Sequence, residues 1–344
     1  MADRGGRVLV TGAVGQIGSE LTMALRKKYD EKDVVALGHI TEPSQTLRES
    51  GPYTTCDIRN ASELARIVDR YEIETIYHMA AISSAAGEEN PQLAWDVNVN
   101  GLFNILEIAR ERRLSQVFVP SSLSVFGPHV SRGLAPQDAA LQPVTMDGVT
   151  KAIGEAVGRY YRYRFGLDVR GLRYPEVISH QTASNGRMTD YAVEIFYAAD
   201  ACGHYQCFVR EDTVLPMMYM PDCIQATIHL MEAPAESLSC PTGYNVGGMS
   251  FSAGELADAI RQVLPGFVCS FVPDERQSIA DRCPQHLDDR AARRDWNWKP
   301  DYDLDAMVID MVWRLWGGAE EWNAAGCGLC PEAASRSGIT GNAA

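Results

Sequence analysis

The stretch RVLVTGAVGQIGSEL, residues 7–21, decides the fold. Its first half is a short apolar run that reads as a strand over 7–13, and its second half opens a helix over 16–28. Between them Gly12, Gly15 and Gly18 form G-x-x-G-x-x-G, with Gln16 and Ile17 at the start of the helix. Glycine permits a tight turn and a close approach of backbone to a pyrophosphate, and a helix N-terminus offers free N–H groups and a positive dipole end. At a first β-α turn this pattern predicts dinucleotide binding; the plainer alternative is a packing turn.

Outward from that turn the chain alternates strands and helices. Strands are expected at 33–37, within YTTCDI, within TIYHMAA, at 116–122 and at 168–175; helices at 61–70, 91–113 and 151–165. This alternation predicts an α/β fold, a Rossmann-type doubly wound parallel sheet over residues 1–178. Beyond it, helices at 191–199, 222–231 and 252–263 mix with short strands such as CSFVP. They predict a smaller C-terminal α/β substrate lobe over 179–316, parts of which return to the sheet. Residues 317–344, rich in Gly and Ala, are expected to be a loosely ordered tail.

The 344 residues are 46% hydrophobic and carry a formal net charge of -14. That is enough for a sizeable core, and the acidic balance argues against nucleic acid as a partner. No apolar run is long enough to span a membrane and no apolar signal segment precedes the first strand, so a cytoplasmic protein is expected. The nine cysteines read as reduced thiols; Cys327 and Cys330 form a lone CxxC without the further ligands of a zinc site. No metal is expected.

An acid normally ends the second strand of such a fold and takes the ribose hydroxyls. Here the chain reads LGHITEP: His39 stands at that place, a candidate for a ribose hydroxyl, and no arginine adjoins it to favour NADP. NAD is therefore the expected cofactor. Asp57, after the third strand, is placed to contact the adenine.

From residue 7 to about 310 the chain resembles the extended short-chain dehydrogenases/reductases, and most of all the L-threonine 3-dehydrogenases of the UDP-galactose-epimerase-like type. TGAVGQIG, HMAA, NVNG (98–101) and VPSSLSVFG carry the general likeness. AISSAAGE (81–88), LRYP (172–175), TDYAVEIFY (189–197), LPMMYMPD (215–222) and YNVGGMSFS (244–252) carry the specific one. The resemblance implies oxidation of the 3-hydroxyl of threonine, or of a related β-hydroxy-α-amino acid, by NAD. It also implies a dimer built on the two long helices. Ser122 would hold the substrate alcohol and Lys151 the nicotinamide ribose. Ile58, Ala80, Ala81, Asn98 and Tyr174 would join Asp57 around the cofactor. Ser84, Thr189, Met217 and Tyr219 fall in segments that form the substrate pocket.

Four positions depart from the family pattern. His39 replaces the ribose acid, and Asp147 stands four residues before Lys151, where the family has its catalytic Tyr. Glu176 stands where the family has glycine beside the nicotinamide, and Arg187 in what is normally a glycine run before Thr-Asp. An Asp has an ordinary pKa of about 3.9 against about 10 for Tyr, a poor match for an alcohol proton. Asp147 could instead be structural, as a first-turn acid paired with Lys151 at i, i+4. Two alternatives to threonine oxidation stay open: non-redox chemistry on an amino-acid-like substrate (elimination, retro-aldol cleavage or decarboxylation) with Asp147 and Glu176 as acid and base, and a non-catalytic homologue.

Overall fold

The computed structural model describes residues 6–82, 84–181 and 190–316. Arg187, Thr189, Cys327, Cys330 and the expected tail at 317–344 lie outside the described residues.

Six parallel strands form the main sheet: β1 (Arg7–Thr11), β2 (Val34–Gly38), β3 (Tyr53–Thr55), β4 (Ile73–His78), β5 (Gln116–Phe118) and β6 (Asp168–Arg170), in the order 3-2-1-4-5-6. Val10 pairs with Ala36 on one side and Tyr77 on the other. Every residue of β2 is buried, because helices cover both faces of a parallel sheet. On one face lie α2 (Ala61–Arg70) and α3 (Gly101–Arg112), whose Leu64, Ile67, Ile105 and Leu106 pack on Leu9, Val35 and Ile76. On the other, α1 (Gln16–Lys28) sets Leu21 and Leu25 against Val8, Val10 and Ala36.

Three expected elements are broken, each for a tertiary reason. The single helix at 91–113 is Pro91–Trp95, a wide π-type turn over Asp96–Asn100, and then α3. The wide turn carries Asn98 inward, where its amide bonds both backbone groups of Ile82. The fifth strand stops after Phe118 and resumes at Ser121–Ser122; the sixth stops after Arg170 and resumes at Leu172–Tyr174. At this step Gly171 lies so close that a Cβ would meet Val119 O at 2.4 Å, and its N–H goes sideways to Pro241 O. Tyr244–Asn245 then pairs with Leu172–Arg173, bringing the C-terminal chain back beside the sheet. The helix expected at 151–165 starts earlier, as α4 (Met146–Phe165), because Thr145 Oγ1 caps it by accepting from Gly148 N.

A second core gathers Ile178, Phe196, Met217, Phe251, Leu256, Ile260 and Met311. It is built from the sheet Glu176–Ile178, Val214–Tyr219 and Met249–Ser252 with the helices Tyr191–Cys202, Ala253–Val263 and Leu304–Leu315. The helix Met220–Glu232 returns to the first core, where Ile224 and Ile228 join the cluster of Leu21 and Leu25. Arg170, buried, donates to Leu230 O, Met231 O and Ala233 O and so satisfies the end of that helix. Among the described residues no helix is long and apolar enough to cross a membrane, no group of side chains could hold a metal ion, and all seven cysteines are free thiols.

Candidate functional site

The glycine turn has the shape that a dinucleotide needs. Gly12 has φ +63°, and a Cβ there would meet Ala80 N at 2.5 Å. A Cβ on Gly18 would stand 2.2 Å from Gly12 O. Gly15 is the N-cap of α1 and brings no side-chain bond, and the first turn, including Gln16 and Ile17, holds no acid. The helix end is therefore open to an anion. Ala13 N donates to Leu37 O at 3.1 Å, which sets the end of β2 directly beside the turn. These residues fit NAD.

At the adenosine end His39 is exposed, with Nε2 3.7 Å from Asp57 Oδ2. Asp57 is itself gripped by Arg59, which donates from Nε at 3.0 Å to both carboxylate oxygens and from a terminal nitrogen at 2.6 Å to Oδ2; these bonds hold its carboxyl below the usual range. Ile58 is buried and supports Gly101 at the start of α3. Arg48, from the short helix Gln45–Glu49, folds back to the same wall, where it pairs with Glu42. No arginine adjoins His39 in sequence, and Arg48 reaches this wall from further along the chain.

At the other end, α4 carries Asp147 and Lys151 on successive turns. Lys151 Nζ donates to Pro120 O at 3.1 Å, two residues before Ser122, and burial pushes its pKa down while the Asp147 charge opposes that. Among the described residues no contact ion pair joins Asp147 to Lys151, and the two act on each other only through charge. Asp147, 9% exposed, instead accepts from Ser124 Oγ at 2.7 Å. Ser122 caps the turn Leu123–Val125 by accepting from Ser124 N at 3.1 Å, and its side chain is part-buried. The loop and helix fit tightly: a Cβ on Gly148 would meet Ser124 O at 2.1 Å. Sequence reasoning missed Ser124, although a hydroxyl two residues beyond Ser122 was a visible signal.

Asn98 Nδ2 also donates to Thr150 Oγ1 at 3.1 Å, tying the π-type turn to α4. A cavity of about 20 Å³, room for one water, lies between Lys151, Asn98, Thr150, Ala80, Ala81 and His78. His78 was not singled out from the sequence. Its Nδ1 lies 2.9 Å from Thr11 Oγ1, and burial, helped by the Lys151 charge, pushes its pKa down to about 3.

The substrate-side residues divide. Ser84 is exposed at the start of the helix Ser84–Glu89, whose Glu88 accepts from Met146 N at 2.6 Å and so abuts the N-terminus of α4. Glu176 lies on an edge strand opposite Met217. Burial and then the Glu176 charge push the nearby Cys283 thiol up to about 12. Three residues expected at the site have buried side chains. Met217 is fully buried in the second core, the Tyr219 hydroxyl donates to Asp310 Oδ2 at 2.7 Å, and the Tyr174 hydroxyl shares a hydrogen bond with Thr227 under the sheet. Alternation along Val214–Tyr219 turns Met217 and Tyr219 into one core and Met218 into the other.

The sequence pattern of the NAD dependent epimerase/dehydratase family matches residues 8–247. The mitochondrial L-threonine 3-dehydrogenase of Sus scrofa is 44% identical over 307 residues, 89% of this chain and 82% of that one. The holo form of a GalE-like L-threonine dehydrogenase from Cupriavidus necator superposes with a TM-score of 0.86 at 45% identity, covering 90% of this chain and 99% of that one. A monomeric L-threonine 3-dehydrogenase from a metagenome, in its apo form, gives 0.84 at 45% identity over 90% and 98%. With this glycine turn, this sheet order and these likenesses, the chain belongs to the NAD dependent epimerase/dehydratase family.

Proposed function

We propose that the protein is an NAD-dependent dehydrogenase that oxidises the 3-hydroxyl of L-threonine or of a related β-hydroxy-α-amino acid. The carrying observation is the intact dinucleotide turn together with Lys151 anchored on Pro120 O, two residues before Ser122, in a chain 44% identical to an L-threonine 3-dehydrogenase. Gly12, Gly15, Gln16, Ile17 and Gly18 would hold the pyrophosphate on the end of α1. His39, Asp57 and Ile58 would face the adenosine, and Ala80, Ala81, Asn98 and Lys151 the nicotinamide half. NAD, when bound, supplies the hydride acceptor.

Ser122 Oγ orients the substrate hydroxyl. Lys151, kept by Pro120 O at a fixed height in the cleft, binds the ribose and adds positive charge where the alkoxide forms. No phenol stands at 147, so the alcohol proton leaves through water held by Ser122 and the Asp147–Ser124 pair. Ser84 and Glu176 would contact the amino-acid part, with Glu176 matched to its ammonium; Arg187 and Thr189, outside the described residues, are kept as candidates for the same role. The test is NADH formation, followed at 340 nm, with L-threonine and other β-hydroxy-α-amino acids. Asp147→Tyr restores a positioned proton acceptor and is expected to raise kcat by about 10²–10⁴-fold.

A second reading is favoured by the buried carboxylate held by Ser124. Asp147 and Glu176 then act as acid and base in a non-redox step on an amino-acid-like substrate. In that case Asp147→Asn abolishes turnover and Asp147→Tyr does not create any.

We further propose a division into a dinucleotide half over 1–178 and a substrate lobe over 179–316, with Met220–Glu232 and Tyr244–Asn245 returning to the first half. A homodimer is proposed through α3 and α4. Phe103, Tyr160 and Phe165 are exposed there around Tyr161, with Phe103 6.4 Å and Phe165 5.3 Å from its ring. The free thiols support a reducing compartment, the cytoplasm.

A further inference from the structure

We infer that the adenosine end of the cleft accepts a 2′-phosphate, so that the protein takes NADP as well as NAD; the inference rests on the dinucleotide site of the function proposed above. Selectivity for NAD comes from a carboxylate at the end of β2, which accepts from the ribose hydroxyls and repels a phosphate there. This chain has no such group: β2 ends at Gly38 and His39, Ile40 and Thr41 follow. The N–H of Ala13 on Leu37 O keeps that end against the glycine turn, so the missing acid is not supplied by a shift of the strand.

Space and cations are both present. Beyond His39 opens a cavity of about 550 Å³, lined among others by Thr41, Glu42, Arg48, Tyr53 and Thr55. Asp57 is already neutralised by Arg59, and Glu42, paired with Arg48, is exposed enough to turn into solvent when that pair opens. The Arg48–Glu42 pair lies in solvent, with Arg48 57% and Glu42 82% exposed, so it holds its partners weakly. A phosphate offers the Arg48 guanidinium a better, bidentate acceptor. His39, half exposed, faces the same space. The Tyr53 hydroxyl is buried against Gly38 and makes no hydrogen bond among the described residues, leaving an unused donor at the strand end.

The test is calorimetric titration of the full chain with NAD and with NADP at low and at high salt. The expected result is an NADP dissociation constant within about tenfold of that for NAD, weakening more steeply with salt. Arg48→Gln is expected to weaken NADP about tenfold or more with NAD little changed, and His39→Asp to abolish NADP binding. If NAD binds and NADP binds more than about a hundredfold more weakly, the inference fails and the proposed function stands. If neither binds, both fail. NADP binding that Arg48→Gln leaves untouched overturns the assignment.

Discussion

A carboxylate at position 147 changes what Lys151 has beside it. In place of a phenol whose proton the lysine charge would loosen, there is an acid already tied to Ser124. Lys151 is left with a backbone carbonyl, a one-water cavity and the ring of His78. That histidine gives a measurable signature of the buried site. Its folded pKa is about 3 against an ordinary 6.5, so below about pH 6.5 the unfolded chain binds a proton that the folded chain refuses. Stability therefore falls as pH falls through this window. His78→Gln removes the effect, and the stability difference between wild type and variant is expected to shrink by about 1 kcal/mol between about pH 6 and pH 5 in urea titrations. Parallel pH profiles would mean that the imidazole is not held neutral.

Between elements, Glu155 of α4 makes a buried polar link. Its carboxylate takes two 2.8 Å bonds from Arg173 and one of 2.6 Å from Ser121 Oγ, all among buried groups. It locks the helix that carries Lys151 to the strand segments flanking Ser122. Glu155→Ala leaves the Arg173 charge uncompensated and is expected to cost about 3–5 kcal/mol in chemical denaturation; a cost below about 1 kcal/mol would contradict this role. The link shows why some features were legible in the sequence and others were not. The glycine turn, the first four strands and the start of α1 rest on local chemistry, positive φ at Gly12 and apolar runs; the cap at Thr145 is local too, although sequence reasoning missed it. Glu155 reads locally as one more acid on a helix, and only the fold brings Arg173 to it. Likewise Arg48 reads as remote from His39, Met217 and Tyr219 read as pocket residues, and the breaks after Phe118 and Arg170 come from a partner strand far along the chain.

For the molecule as a whole, the exposed aromatic face on α3 and α4 offers apolar surface that association would bury. Sedimentation is expected to show a dimer, and Tyr160→Glu combined with Phe165→Glu a folded monomer; a monomeric wild type would remove the dimer from the proposal. The site has a sound dinucleotide turn at one end and a carboxylate at position 147 at the other, and the central claim is that it still performs a redox reaction. The measurement that reaches this most directly is the mass of the product formed from L-threonine or a related β-hydroxy-α-amino acid with NAD present. The account predicts a product lighter by two hydrogens, formed one for one with NADH. A product from cleavage, elimination or decarboxylation with no NADH formed would contradict it.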